Sequence, residues 1–198
     1  MLHLDAAWVD EIAREAGGAD VLASTAVVAD PAVYRRFCRL NALLFSDASR
    51  EIKETALIEF VGDEFVGDAA RTRGAGIEPQ PASHALRRRL GPVIDMLRGT
   101  EMEAPALATL AERAGMSRYQ LIRAFRAATG LTPHAWHLNH RVNLARERLC
   151  AGETLADVAH GLGFADQSHF QRVFKAHVGV TPRCYRGGAA ISFNTRRV

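Results

Sequence analysis

The stretch LATLAERAGMSRYQLIRAFRAATGLTP at residues 107–133 has a second copy, LADVAHGLGFADQSHFQRVFKAHVGVTP, at residues 155–182. Ten residues are identical in the same order, first at an offset of 48 positions and then, from Arg123 onward, at an offset of 49. So many identities in a fixed order indicate a duplicated motif, and two copies are too few for a solenoid.

Each copy has the pattern of a helix, a tight turn and a second helix. Gly115 and Gly163 allow the positive φ that a short turn requires. Ser117, followed three residues later by Gln120, predicts a capped start for the second helix of the first copy, and Asp166 predicts the same for the second copy. The predicted inward faces of these second helices are Leu121, Phe125 and Ala128 in the first copy, and Phe170, Val173, Phe174 and His177 in the second.

The opposite faces of the two second helices carry side chains that suit DNA. Arginine can donate two hydrogen bonds to guanine, and glutamine can pair in the same way with adenine in the major groove. Many solvated helix faces have a similar composition, but two aligned copies favour the DNA interpretation. The predicted outward residues are Arg118, Tyr119, Ile122, Arg123 and Arg126 in the first copy, and Gln167, Ser168, Gln171, Arg172 and Lys175 in the second.

The charge of the chain supports this interpretation. The 198 residues carry a net charge of +3, but residues 1–80 have 8 Lys/Arg and 14 Asp/Glu, a net of −6. Residues 81–198 have 17 Lys/Arg and 8 Asp/Glu, a net charge of +9. Such asymmetry favours an acidic body joined to a basic module that binds a polyanion, the alternative being two halves that differ in charge without consequence.

The rest of the chain predicts a mostly all-α protein. A helix capped by Asp5 is expected to stop at Gly17-Gly18, and further helices are predicted at residues 31–45 and 49–66. Only Val21–Ala29 has an extended pattern. The predicted organisation is a helical region at 1–66, a glycine- and proline-containing linker at 67–82, a double helix-turn-helix domain at 83–187 and a tail at 188–198.

The run GFADQSHFQRVFK at 163–175 and the paired G-x-T-P segments at 130–133 and 179–182 carry a specific resemblance. With the repeat around them, they resemble the DNA-binding domain of AraC/XylS-type transcription regulators over about residues 84–187. The resemblance implies seven helices in two helix-turn-helix subdomains joined by a long helix. It also implies recognition helices in successive major grooves of double-stranded DNA, a bacterial cytoplasmic protein associated with the nucleoid, and contact with RNA polymerase.

The resemblance places the family's base-reading positions on residues of the outward faces already described and on His169, with Ile122 apolar where relatives often place a polar residue. Ser117 and Lys175 at the ends of these faces are further candidates for DNA contact. The predicted DNA-binding residues are Ser117, Arg118, Tyr119, Ile122, Arg123, Gln167, Ser168, His169, Gln171, Arg172 and Lys175.

Residues 1–66 resemble only the helical tail of the family's regulatory domain, without the β-rich sensor that usually precedes it. This predicts either a fragmentary relative or one whose sensor is absent by design. Residues 31–66 correspond to the family's dimerising helices, so a homodimer is one expectation and ordinary core packing is the other. The expected function is a sequence-specific DNA-binding activator. The alternative is a sensorless interaction protein that dimerises with a full-length relative and modulates it.

Other chemistries are not predicted. His134, His137 and His140 lie on one helix, where the first and third would be about 240° apart and unable to share a metal ion. Three widely spaced cysteines form no C-x-x-C pair, and no nucleophile–base–acid set stands out. The sequence therefore predicts no enzyme, cofactor or metal site, and it contains no apolar run long enough to span a membrane.

Overall fold

The computed structural model describes residues 4–16, 30–72 and 84–187, and within these ranges it contains ten helices and no strand. The mostly all-α expectation is therefore confirmed, and seven of the helices lie in the 84–187 range. The helices are α1 (Ala6–Glu15), α2 (Pro31–Leu44), α3 (Arg50–Thr72), α4 (His84–Arg98), α5 (Leu107–Ala114), α6 (Arg118–Thr129), α7 (Pro133–Cys150), α8 (Leu155–Gly161), α9 (Gln167–Val178) and α10 (Pro182–Arg186).

These helices belong to two compact units. The first unit contains α1 to α6 together with the first turn of α7, so the first helix-turn-helix copy shares it with the acidic helices. The second unit contains the loop Arg98–Ala104, the remainder of α7 and the second copy. Each copy therefore has its own surroundings, although the two copies have related sequences.

The caps of the second helices form as the sequence predicts. The Ser117 hydroxyl accepts a hydrogen bond from the Gln120 backbone N–H at 3.2 Å, and the Gln120 side-chain oxygen accepts one from the Ser117 N–H at 3.2 Å. Asp166 accepts from the His169 backbone N–H at 2.7 Å. These bonds satisfy amide groups that have no partner within the first turn of a helix, so they fix where α6 and α9 begin.

The tight turns also follow the sequence. Gly115 has φ +60° and Gly163 has φ +67°, in the left-handed region that favours glycine. A Cβ atom at Gly163 would lie 2.8 Å from the Met102 Cα, so this turn requires glycine for space as well as for φ. Both copies consequently fold as a helix, a glycine turn and a second helix.

Each copy has a separate apolar core. Leu121 and Phe125 are fully buried against α4 and α5 in the first copy, and Phe170 and Phe174 are fully buried against α7 and α8 in the second. Two predicted inward residues are instead exposed. Ala128 and His177 lie in the last turns of α6 and α9, and the His177 ring bonds the Val173 carbonyl one turn back in its own helix.

Helices α1 and α2 pack on α3, and α1 and α3 pack on α6. Helix α3 continues to Thr72, past residue 67, where the sequence predicts the start of the linker. The rest of that linker, the extended segment Val21–Ala29, Gly17-Gly18 and the tail at 188–198 lie outside the described residues. Among the described helices, none combines the length and apolar character that a membrane span requires.

Candidate nucleic-acid interface

The polar face of α9 is open to solvent. Helix α9 begins at its Asp166 cap, and the side chain of His169 rests edge-on against the Phe164 ring, 5.8 Å between centroids. Phe164 packs in turn on Phe170 in the core, which fixes the orientation of the helix start. The predicted DNA-binding residues of this helix divide into two classes: Gln167, Ser168, Arg172 and Lys175 are exposed, and His169 and Gln171 are half-buried.

The corresponding face of α6 is covered at Tyr119 and Ile122, where the prediction of an outward, solvated face is wrong, whereas Arg123 and Arg126 farther along the face are exposed. Tyr119 is 7% exposed and Ile122 is fully buried. Helices α1 and α3 supply the apolar surface that removes them from water. Tyr119 and Ile122 form a single buried cluster with Val9 and Ile12 of α1 and Ile58 and Val61 of α3.

Arg118, at the first turn of α6, is held by two carboxylates of α1. Its Nε donates to Glu15 Oε1 at 2.9 Å, and its Nη2 lies 2.8 Å from Glu11 Oε1. The Arg118 backbone N–H donates to the other Glu15 oxygen at 3.1 Å, and the Ser117 hydroxyl donates to the Glu15 carbonyl at 3.0 Å. Glu15 therefore occupies the N-terminus of α6, where the helix dipole favours a negative charge.

Farther along α6, Asp63 of α3 binds two predicted DNA-reading residues. The Tyr119 hydroxyl donates to Asp63 Oδ1 at 2.8 Å, and Arg123 Nη1 donates to the same oxygen at 3.0 Å. Burial raises the pKa of Tyr119, and the hydrogen bond to the Asp63 carboxylate raises it further. Arg123 also donates to the Tyr119 hydroxyl at 3.1 Å, so the three side chains form one network.

A third arginine of α6 also binds a carboxylate of the N-terminal helices. Arg126 pairs with Glu59 of α3, and burial raises the pKa of that carboxyl. Sequence reasoning did not identify Glu11, Glu15, Glu59 or Asp63 as site residues. The signal that could have found them is the opposite net charge of the two halves, combined with two apolar side chains on an otherwise polar helix face.

The burial of two polar residues in the second unit was not predicted from the sequence. His137 is fully buried and its Nε2 lies 2.7 Å from the Thr100 carbonyl oxygen, so this nitrogen donates and Nδ1 carries no proton in the neutral ring. Burial lowers the pKa of His137 and also that of Arg141, whose guanidinium lies 4.2 Å from the centre of the Phe164 ring. Arg141 thus supports the ring on which His169 rests.

The histidines predicted to be unable to share a metal ion have separate surroundings. The Nε2 atom of His134 lies 3.3 Å from the Ser49 hydroxyl, whereas His137 bonds the Thr100 carbonyl. In the part of the chain that the structure describes, no three His, Cys, Asp or Glu side chains are placed to hold a metal ion. His134 and His137 therefore take part in separate hydrogen bonds within the fold.

Comparison with known proteins finds matches to the part of the chain that contains α6 and α9. Residues 110–188 match the family model described as a helix-turn-helix domain. A crystal structure of a transcriptional regulator from Chromobacterium violaceum, described as AraC-type, matches with a TM-score of 0.50 and 25% identity. The match covers 56% of this chain and 99% of that one. The chain carries an AraC-type helix-turn-helix DNA-binding domain.

Curated relatives of the AraC-type domain match with similar extent. The bifunctional transcriptional activator/DNA repair enzyme Ada of Escherichia coli is 34% identical over 130 residues, which are 63% of this chain and 37% of Ada. The HTH-type transcriptional activator RhaS of Yersinia pestis is 32% identical over 99 residues, 50% of this chain and 36% of RhaS. The chain thus spans little more than a third of the length of these relatives.

Proposed function

We propose that this AraC-type chain is a sequence-specific transcription activator that reads two half-sites, one with α6 and one with α9. The observation that supports the proposal most directly is the open polar face of α9, which presents Gln167, Ser168 and Arg172 on a capped helix. Activation is part of the proposal because the relatives Ada and RhaS are transcriptional activators. An activator of this type would contact RNA polymerase once it is bound to DNA.

The two kinds of DNA contact have different tasks in this proposal. Arg and Lys neutralise phosphates and provide affinity that does not depend on sequence. Arg123 and Arg172 recognise guanine, and Gln167 and Gln171 recognise adenine, through base edges in the major groove. Because Tyr119 and Ile122 of the first helix differ from their counterparts Ser168 and Gln171, the two half-sites differ in sequence and are not palindromic.

Selection of bound DNA from a random pool by the purified full chain tests this proposal. The expected result is an asymmetric consensus of two segments about 10–10.5 base pairs apart, the spacing of neighbouring major grooves on one face of DNA. Arg172→Ala is expected to relax base preference in one segment, and Lys175→Ala to weaken all sequences alike. Recovery of no consensus from the pool at low salt would contradict the proposal.

A second candidate function rests on the surface of α2. Tyr34 of α2 is 67% exposed, and Phe45, the residue that follows the end of α2, is 78% exposed. Two large hydrophobic side chains therefore face solvent. They suit a protein that pairs through residues 31–66, with itself or with a full-length relative that it modulates. A gel shift with the purified chain alone separates the activator from a protein that modulates a relative, because the latter needs that relative before any DNA is shifted.

A further inference from the structure

We propose that α1 and α3 form an intramolecular cover that occupies the DNA-reading face of α6 and competes with DNA for it. The inference rests on the proposed function, since it concerns the availability of one of the two recognition helices. Throughout, the cover means the carboxylate and apolar side chains of residues 5–15 and 50–64 that contact α6. The competition follows from what these side chains bind.

The apolar part of the cover excludes DNA by volume. Ile122 is fully buried and Tyr119 nearly so, both in one cluster with Ile12 and Ile58. A major groove about 12 Å wide admits one helix, and base edges can be touched only by side chains that face the groove. A face already packed against α1 and α3 cannot enter it, so α6 must separate from these helices before it reads DNA.

The carboxylates of the cover accept hydrogen bonds from the same guanidinium groups that would bind DNA. Arg118 binds Glu11 and Glu15, and Arg123 binds Asp63. Carboxylate oxygens accept charge-assisted hydrogen bonds from guanidinium groups, as phosphate oxygens do. Each N–H group that donates to one of these carboxylates is unavailable to a guanine or phosphate, and the carboxylates themselves repel phosphate, so these ion pairs oppose DNA binding by α6.

The energetic consequence is a reduced apparent affinity. When only a fraction of the molecules is open, the apparent Kd equals the intrinsic Kd divided by that fraction, so a chain that is open one time in ten binds about tenfold more weakly. DNA with the correct sequence binds only the open form and shifts the population toward it. Loosening the cover should accordingly strengthen specific binding although no DNA-contacting residue is changed.

Gly62 offers a substitution that loosens the cover without changing any charge. A Cβ atom at Gly62 of α3 would lie 2.3 Å from both Cδ2 and Cε2 of the Tyr119 ring. The ring is nearly buried and its hydroxyl is bound to Asp63, so α3 must move away from α6 to accept an alanine. Gly91→Ala is the matched control, because a Cβ atom there, also within a helix, meets nothing within 4 Å.

The experiment measures the Kd of the full chain for its selected DNA site by fluorescence anisotropy. We expect Gly62→Ala to bind about tenfold more tightly than the unchanged chain, and Gly91→Ala to bind as the unchanged chain does. Circular dichroism verifies that both variants are folded. Equal affinities for folded Gly62→Ala and Gly91→Ala would overturn the cover.

Asp63→Asn provides an independent test should Gly62→Ala fail to fold. Removal of this negative charge strengthens binding to every DNA alike, so the measured quantity is the Kd for a site whose α6 segment is scrambled divided by the Kd for the selected site. An increase of this ratio supports the cover, and an unchanged ratio overturns it. If only the cover hypothesis is wrong, the unchanged chain still binds its selected DNA site. If no variant binds DNA even at low salt, the proposed function itself is overturned.

Discussion

The two recognition helices of this chain have the same scaffold but different surroundings. Helices α6 and α9 are both capped by a side-chain oxygen, both bury a phenylalanine of the repeat and both end at a glycine with positive φ. Yet Ile122 of α6 is fully buried outside its own subdomain core, while its repeat counterpart Gln171 of α9 is half-buried on an open face. The duplicated motif therefore preserves the helix and changes what the helix can contact.

The side chains at these positions explain the difference. Burial of an isoleucine side chain stabilises the folded protein by roughly 1.5–3 kcal/mol. Burial of a side-chain amide without hydrogen-bond partners destabilises it. Tyr119 and Ile122 thus make a surface on which α1 and α3 can pack, and Ser168 and Gln171 at the equivalent positions of α9 do not. Opposite net charges of the two halves add the ion pairs around that apolar centre.

The largest expected effect separates the two faces by stability. Ile122→Ala should lower the free energy of unfolding by about 2–5 kcal/mol, since it leaves a cavity between α6 and the N-terminal helices. The counterpart Gln171→Ala should change it by no more than about 0.5 kcal/mol. Urea denaturation followed by circular dichroism measures both. Similar losses in the two variants would mean that the faces are equally buried or equally open.

A smaller effect separates the faces by DNA recognition. Arg172→Ala should weaken binding to the selected site by about 1–3 kcal/mol and relax the preference in one half-site only. Arg123→Ala should relax the other half-site, with a smaller loss in the full chain because it also removes the bond to Asp63 that holds the cover closed. Affinities across a panel of singly substituted sites show this. If both variants relax the same base positions, the assignment of one helix to each half-site is wrong.

The smallest effect concerns pH and belongs to the second unit. Because burial lowers the pKa of His137, its neutral ring stabilises the fold above its ordinary pKa of about 6.5, and this contribution is lost as the pH falls through the lowered value. The free energy of unfolding should therefore decrease on acidification. His137→Gln keeps a donor for the Thr100 carbonyl without titrating, so its urea midpoint should depend less on pH. An equal pH dependence in both proteins would contradict this role.

Sequence periodicity predicted the helices and turns well, because caps and glycines act locally. Ser117, Asp166, Gly115 and Gly163 have the roles that their spacing indicates. The sequence predicts a helix that ends at residue 66, whereas α3 continues to Thr72. A glycine lowers the helix propensity of a segment but does not by itself end a helix.

Periodicity could not identify what covers a helix face. Tyr119 and Ile122 were placed on the correct side of α6, away from Leu121 and Phe125, but the packing of α1 and α3 on that side depends on tertiary contacts far apart in the chain. The DNA-reading assignments themselves remain predictions from the resemblance. The repeat therefore located the candidate interface, and only the structure showed that half of it is occupied.

The most direct test of the difference between α6 and α9 is thiol labelling at equivalent positions. Cys38, Cys150 and Cys184 are exposed, so they are first replaced by serine, and Ile122→Cys and Gln171→Cys are introduced separately. The predicted result is slow labelling at position 122 and fast labelling at position 171, with Gly62→Ala accelerating only the reaction at 122. Equal labelling rates at the two positions in the folded chain would contradict the claim that one recognition helix is covered and the other is open.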